Sequence, residues 1–339
     1  MHVHAPAVTA VCVSVATLFP MNTDAQQRAP LSIEAKIPLG KVDGRIDHLA
    51  LDLDRHRLFV AELGNGTVGV VNIESRTVER RLSDFDEPQG VAYDRATDTL
   101  YVASGGDGSL RLFRGPELAA AGTIKLGADA DNVRLDADHR RAYVGHGDGT
   151  LAIIDMEAQR KIGDIALMAH RESFQLERTG SRIFVNVPDA HAIAIVDRST
   201  AKLIATWPTT ELRSNYPMAL DHAKNRVLVG FRQPAVLAAF DAASGKLLSK
   251  TASCGDPDDV FVDLKRGSIY MSCGEGFIDV FAARDRTYSR VARIETAQGA
   301  RTALFSADLD RLFLAVRAGA HGPAALWVFK PDGGLRADQ

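Results

Sequence analysis

The sequence predicts an all-β fold, a seven-bladed β-propeller with four antiparallel strands per blade. Three observations carry that expectation. A short apolar run ending in an acidic residue, or once in Ser, recurs with its last residue at Asp52, Asp94, Asp136, Glu177, Asp221, Asp263 and Ser306, at intervals of 42, 42, 41, 44, 42 and 43 residues. Each copy is followed by the same succession of β-branched and aromatic runs separated by turn residues, the signature of a repeated antiparallel unit. A chain of 339 residues, 46% apolar, also has the material for one large closed repeat array.

Before the repeats, Ala5 to Met21 is almost wholly apolar or small, and Thr23-Asp24-Ala25 places small residues at the two positions a signal peptidase reads. Residues 1–25 are read as an export signal cleaved near Ala25, although its start offers His2 and His4 in place of Lys or Arg. A disordered or membrane-anchoring leader is the other reading. Cys12 lies inside the apolar run, not in a lipobox. No later segment approaches the ~18 apolar residues a spanning helix needs, so the mature chain is expected to lack a membrane span and to be periplasmic or secreted.

The propeller is then expected over residues 26–330. The recurring phrases (HLALD, GVAYD, NVRLD, SFQLE, PMALD, DVFVD, TALFS) are the innermost strands. The closing Asp begins the turn to the second strand, where its side chain can bond a backbone N–H two residues on, a structural role. Second strands follow (RLFVAEL, TLYVASG, RAYVGHG, RIFVNVP, RVLVGFR, SIYMSCG, RLFLAVR). Gly64-Asn65-Gly66, Asp107-Gly108, Asp148-Gly149 and Gly274-Glu275-Gly276 supply the positive-φ residues of the hairpins to third strands such as VGVVNIE and LAIIDME. A more variable fourth strand closes each unit, as in TVERRLS and KLIATWP. The seventh unit lacks one: its third strand ends near Lys330, and residues 331–339 read as a disordered tail. SIEAKIPLG, Ser32 to Gly40, resembles the other fourth strands, so the N-terminal segment is expected to complete the last blade and hide its open edge.

The phrases LFVAELGNGTVGVVNIES, LYVASGGDGSLRLF and AYVGHGDGTLAIID resemble the YVTN-type seven-bladed propellers, over roughly Ser32 to Lys330. The resemblance implies the fold and leaves function open, because similar propellers serve as surface proteins, binding modules and enzymes. Some relatives carry a DNA-binding label. A net charge of −3, an isoelectric point near 6.4 and the lack of a Lys/Arg cluster interleaved with aromatics argue against nucleic acid as a partner here.

Alignment on the closing residue makes the channel mouth readable. Five positions earlier stand Asp47, Gln89, Asp131, Glu172, Tyr216, Asp258 and Arg301; one step later come His48, Gly90, Asn132, Ser173, Pro217, Asp259 and Thr302. The second strands end in Glu62, Ser104, His146, Val187, Phe231, Cys273 and Val316, with Arg232 and Arg317 adjacent. Polar contacts to channel water would explain any one of these. Seven interchangeable contacts would not require seven different side chains, so a specific ligand is expected at Asp47, His48, Gln89, Asp131, Asn132, Glu172, Tyr216, Asp258, Asp259 and Arg301. A divalent cation such as Ca²⁺ could take oxygens from Asp47, Asp131, Glu172 and Asp258. Zinc is less expected than such a cation, because His48 and His146 lack local ligand spacing. His139, His222 and His321 fall in turns or hairpins and read as solvated.

Without the leader, Cys254 and Cys273 remain, an even count that in an oxidising compartment suggests a disulfide pinning the loop with Asp256, Asp258 and Asp259. A nucleophilic thiol is the rival, without a His partner set by sequence. The favoured function is binding of a small polar molecule or a periplasmic protein at the channel mouth, by a monomer. The alternative is an enzyme of lactonase or lyase type, with His48 or His146 as base, Glu62 or Glu172 as acid, and Arg301 with Arg317 stabilising negative charge. A purely structural envelope role leaves the uneven ring unexplained.

Overall fold

In a computed structural model of the chain, which describes residues 1–5, 29–284 and 287–333, seven four-stranded antiparallel sheets are arranged as propeller blades. Residues 6–25 of the expected export signal and the last six residues of the expected tail lie outside the described residues. Blade 1 is typical: Leu49–Asp52 leads outward through Arg57–Glu62 and Thr67–Asn72 to Thr77–Leu82. In blade 1 the second and third strands have neighbours on both faces, so their interiors are apolar; the fourth strand at the rim mixes exposed and half-covered residues. Among the described residues no helix is long and apolar enough to cross a membrane.

Ring closure follows the expectation. Leu31–Pro38 pairs antiparallel with Ala325–Pro331, from Leu31 opposite Pro331 to Pro38 opposite Ala325, and becomes the outer strand of blade 7. The third strand of that blade therefore runs one residue past Lys330. Ile37 and Leu39 enter a core cluster holding Leu58 and Val60 of blade 1 with Phe313 and Leu326 of blade 7, so the closing strand also cements the first blade to the last.

The closing Asp residues take the expected turn role: Oδ1 of Asp52 accepts from the amide of Asp54 (3.1 Å), and Oδ1 of Asp263 from that of Lys265 (3.0 Å). The structure adds bonds between blades. Arg55 Nη2 donates to Asp98 (2.6 Å), Arg140 to Asp94 (2.9 Å), Arg198 to Asp136 (2.8 Å) and Arg266 Nη1 to Asp310 (2.6 Å). On this face, arginines tie four pairs of neighbouring blades together.

Candidate functional site

The innermost strands do not run straight into the channel mouth. In blade 3, Asp131 pairs with Gly145 and Val133 with Val144, leaving Asn132 as an extra residue with a left-handed φ of 49°. Equivalent register shifts fall at Gln89 and Gly90 in blade 2, Tyr216 and Pro217 in blade 5, and Asp258 in blade 6. A bulge re-aims the side chains on either side of it. Four blades thus present their expected ligand positions from bulges.

A cavity of about 400 Å³ occupies the axis. At its mouth-side end stand His48, Arg134, Ser173 and Asp259; its wall carries Leu49, Leu176, Met218, Leu220, Phe261 and Leu304, with Gln175 among them; its far end reaches His222, in a turn on the opposite face. Above this cavity Asp47, only 3% exposed, sets Oδ2 2.6 Å from Arg45. The His48 Nε2 atom lies 3.8 Å from Asp47 Oδ1 and 3.4 Å from Asp131 Oδ1. Asp131 also accepts from the Asn132 amide (2.5 Å). Arg134 donates to the carbonyl of Val133 (3.1 Å) and to Asn132 Oδ1 (3.2 Å), and Asp259 Oδ2 accepts from the Ala303 amide (2.8 Å).

Low dielectric and close charge perturb every member. Burial alone would lower the His48 pKa, but the Asp131 carboxylate, with Asp47 and Asp259 behind it, raises it to about 10. Burial opposes ionisation of Asp131 too, yet the His48 imidazolium holds that carboxyl well below its usual range. Burial pushes Asp47 up to about 6 and Asp259 up to about 7, and lowers the pKa of Arg134. His48 is therefore an imidazolium at neutral pH, and Asp47 and Asp259 are the groups that exchange protons there.

The acidic loop of blade 6 faces arginines. Asp258 accepts from Arg232 Nη2 (2.6 Å) and lies 3.3 Å from Arg301 Nε, while Asp256 takes Arg301 Nη1 (2.8 Å) and Arg232 Nε (3.0 Å). The Arg232 guanidinium stacks on Tyr216, 3.5 Å from its ring centroid. Beside this network a smaller cavity, about 110 Å³, is lined by Arg45, Arg301, Arg317 and Asp256. Arg317 lies on the backbone of Gly299, whose φ of +80° and lack of a side chain make the close approach feasible. Cys254 and Cys273, both fully buried, form the expected disulfide with Cα atoms 5.9 Å apart, beneath the same loop.

Other expected site residues go elsewhere. Glu172 lies 3.4 Å from His170 Nε2, and Gln89 folds over Gly105. Glu62 is completely buried within blade 1, where it accepts from Arg81 Nε (2.7 Å) across Gly69. His146 lies within blade 3, with Nδ1 accepting from the Gly127 amide (3.0 Å) and Nε2 3.0 Å from Asp164. Neither lines the axial cavities. The ends of the second strands share the mouth face, but these side chains project sideways across the blade toward the fourth strand. The acidic set expected for a cation is also divided: among the described residues Asp47, His48 and Asp131 offer ligand atoms within 4.8 Å of one another, while Asp258 and Glu172 have the partners given above.

Two members of the site escape the alignment. Arg45 precedes the aligned positions. Arg134, two before Asp136, is visible in retrospect, because the corresponding residues are Ala50, Ala92, Gln175, Ala219, Phe261 and Leu304. A single arginine among channel-facing apolar and amide residues was the signal.

Fold and axial channel together define the chain as a seven-bladed β-propeller. No protein-family model matches the sequence, and no curated protein does. Among solved structures it is similar to hydrazine synthase of Kuenenia stuttgartiensis (15% identity, 81% of this chain and 94% of that chain, TM-score 0.72). It is similar also to a chain of a mitotic checkpoint complex (14% identity, 94% of this chain and 98% of that one, TM-score 0.76). At these identities the likeness establishes the fold alone.

Proposed function

We propose that this protein is an exported propeller of the YVTN type that binds a small polar ligand, or the polar group of a partner protein, at the axial end of its channel. The observation that supports this most is the convergence of Asp47, His48, Asp131, Arg134 and Asp259, from three blades, at one end of the axial cavity. Gathering ionisable groups away from water costs stability, and a purely structural channel has no use for the arrangement. The lactonase or lyase reading draws less support: His48 holds its proton at neutral pH, and His146 is enclosed in its own blade. A divalent cation at Asp47, His48 and Asp131 would have to displace the His48 proton, so its affinity would rise with pH. The buried disulfide supports export, and the leader supplies the route; the N-terminus of the protein recovered from a periplasmic fraction should be Gln26.

A thermal-shift screen against acids, lactones, sugars and divalent cations, run beside Asp131→Asn, tests the proposal. A ligand at a hundred times its Kd adds about 2.7 kcal/mol of stability. A shift in the parent that is lost in the variant supports the axial site. A shift that persists in the variant places the ligand elsewhere.

A further inference from the structure

Arg134 differs from three other inward-lying arginines. Arg171, Arg198 and Arg266 each meet a carboxylate, at Asp129 (2.7 Å), Asp136 (2.8 Å) and Asp310 (2.6 Å). Arg134 bonds only a backbone carbonyl and the Asn132 amide oxygen, both neutral. Asp259, also at that end of the cavity, is turned to the Ala303 amide. Asp259 and Asp131 support the Arg134 charge from nearby but form no ion pair with it, so its fork is open to a carboxylate brought in by a ligand.

We propose that the axial cavity takes an amphiphilic monocarboxylate, its head paired with Arg134 and its apolar body lying along the wall toward His222. This deepens, and rests on, the reading of the axial channel as a ligand site. The cavity volume, about 400 Å³, lies within the range of about 300–1,000 Å³ usual for small-molecule sites. His48, Arg134, Ser173 and Asp259 gather at one end, His222 stands at the other, and between them Leu49, Leu176, Leu220, Phe261 and Leu304 line the wall beside Gln175, whose Nε2 donates to the Met218 carbonyl (2.9 Å). An alkyl or aryl body packs on Leu49, Leu176, Leu220, Phe261 and Leu304 and replaces water there favourably. One planar guanidinium suits a carboxylate; a phosphate dianion would call for further free cations, and the neighbouring imidazolium is already held by Asp47 and Asp131.

The same chemistry suggests where the ligand enters. At the mouth side Asp47 and its salt bridge to Arg45 lie above the cavity. At the far side a second cavity of about 480 Å³ shares Leu220 and His222 with the first and carries Arg178. It forms an antechamber between blades 4 and 5, with a cation at its edge to attract the head group.

Calorimetric titration of the full chain with octanoate, octylammonium and acetate tests the inference. Saturable binding of one octanoate is expected, with none for acetate, which lacks the body, or for octylammonium, which reverses the charge. Arg134→Gln should weaken octanoate by at least about tenfold, the effect of losing a charge-assisted hydrogen bond. Ala219→Phe, which narrows the cavity and leaves the charges intact, should weaken it as well and guards against an Arg134→Gln variant that does not fold. Equal binding of octylammonium, octanoate binding unaltered in either folded variant, or no octanoate binding would overturn the inference. If octanoate is silent while another ligand stabilises the parent but not Asp131→Asn, the axial site stands and this ligand class falls.

Discussion

Burial and charge act against each other at His48, and charge wins because the imidazolium lies within 4 Å of two carboxylates. Stability contributed by this histidine is fully present below its ordinary pKa of 6.5 and is lost as pH rises through about 10. Asp259 acts in the same direction at lower pH. Its folded pKa, pushed by burial from 3.8 to about 7, means the native state binds the proton more tightly, so stability falls as pH climbs through that interval. Asp259→Asn keeps an oxygen for the Ala303 amide and cannot ionise. Its melting temperature should exceed that of the parent at about pH 8 and converge on it near pH 4; a difference independent of pH would refute the assignment. The ring of unlike residues was legible because an invariant spacing let seven blades be read in register. Glu62 and His146 were misplaced because strand position alone does not tell whether a side chain faces the channel or crosses its blade.

Elements explain what residue types could not announce. The bulges at Gln89, Asn132, Tyr216 and Asp258 share no residue type, and the backbone alone reveals them. A second irregularity recurs between third and fourth strands, at Val70/Val71, Leu112/Phe113, Ile153/Ile154, Ile195/Val196, Ala239/Phe240 and Val280/Phe281. Such shifts increase local twist at the rim and are invisible in a pattern of alternating hydrophobicity. The disulfide was legible by count and position in the blade. It closes a loop of 19 residues, so replacing both cysteines by Ser should cost about 3 kcal/mol, read as a lower midpoint in urea with an unchanged slope. An unchanged midpoint would show that the loop is held by Asp256, Asp258 and their arginines alone.

At the scale of the whole molecule, apolar clusters pack each blade on the next, and two further devices fasten the seven sheets into one body. One is the set of arginine bonds between neighbouring turns, which no local pattern signals because the partners lie about forty or more residues apart, as in Arg55 with Asp98 and Arg266 with Asp310. The other is the closing strand, legible because the seventh repeat is one strand short. A chain starting at Lys41 would lose the burial of Leu31, Ile37 and Leu39, roughly 4–9 kcal/mol, and would expose Ala325–Pro331 as an open edge. It should aggregate or unfold without a single cooperative transition, where a sharp transition at the parent's midpoint would show that closure is dispensable.

The claim that unites these scales is that the channel end is a built ligand site. Hydrogen exchange, with and without the ligand that gives the largest thermal shift, tests it most directly. Slower exchange in the loops that carry the site, residues 44–48, 127–132, 255–259 and 299–302, with the rim strands unchanged, is the result expected. Protection confined to the rim strands, such as Lys202–Pro208 and Leu247–Ala252, would contradict it and place the binding surface on the outside of the disc.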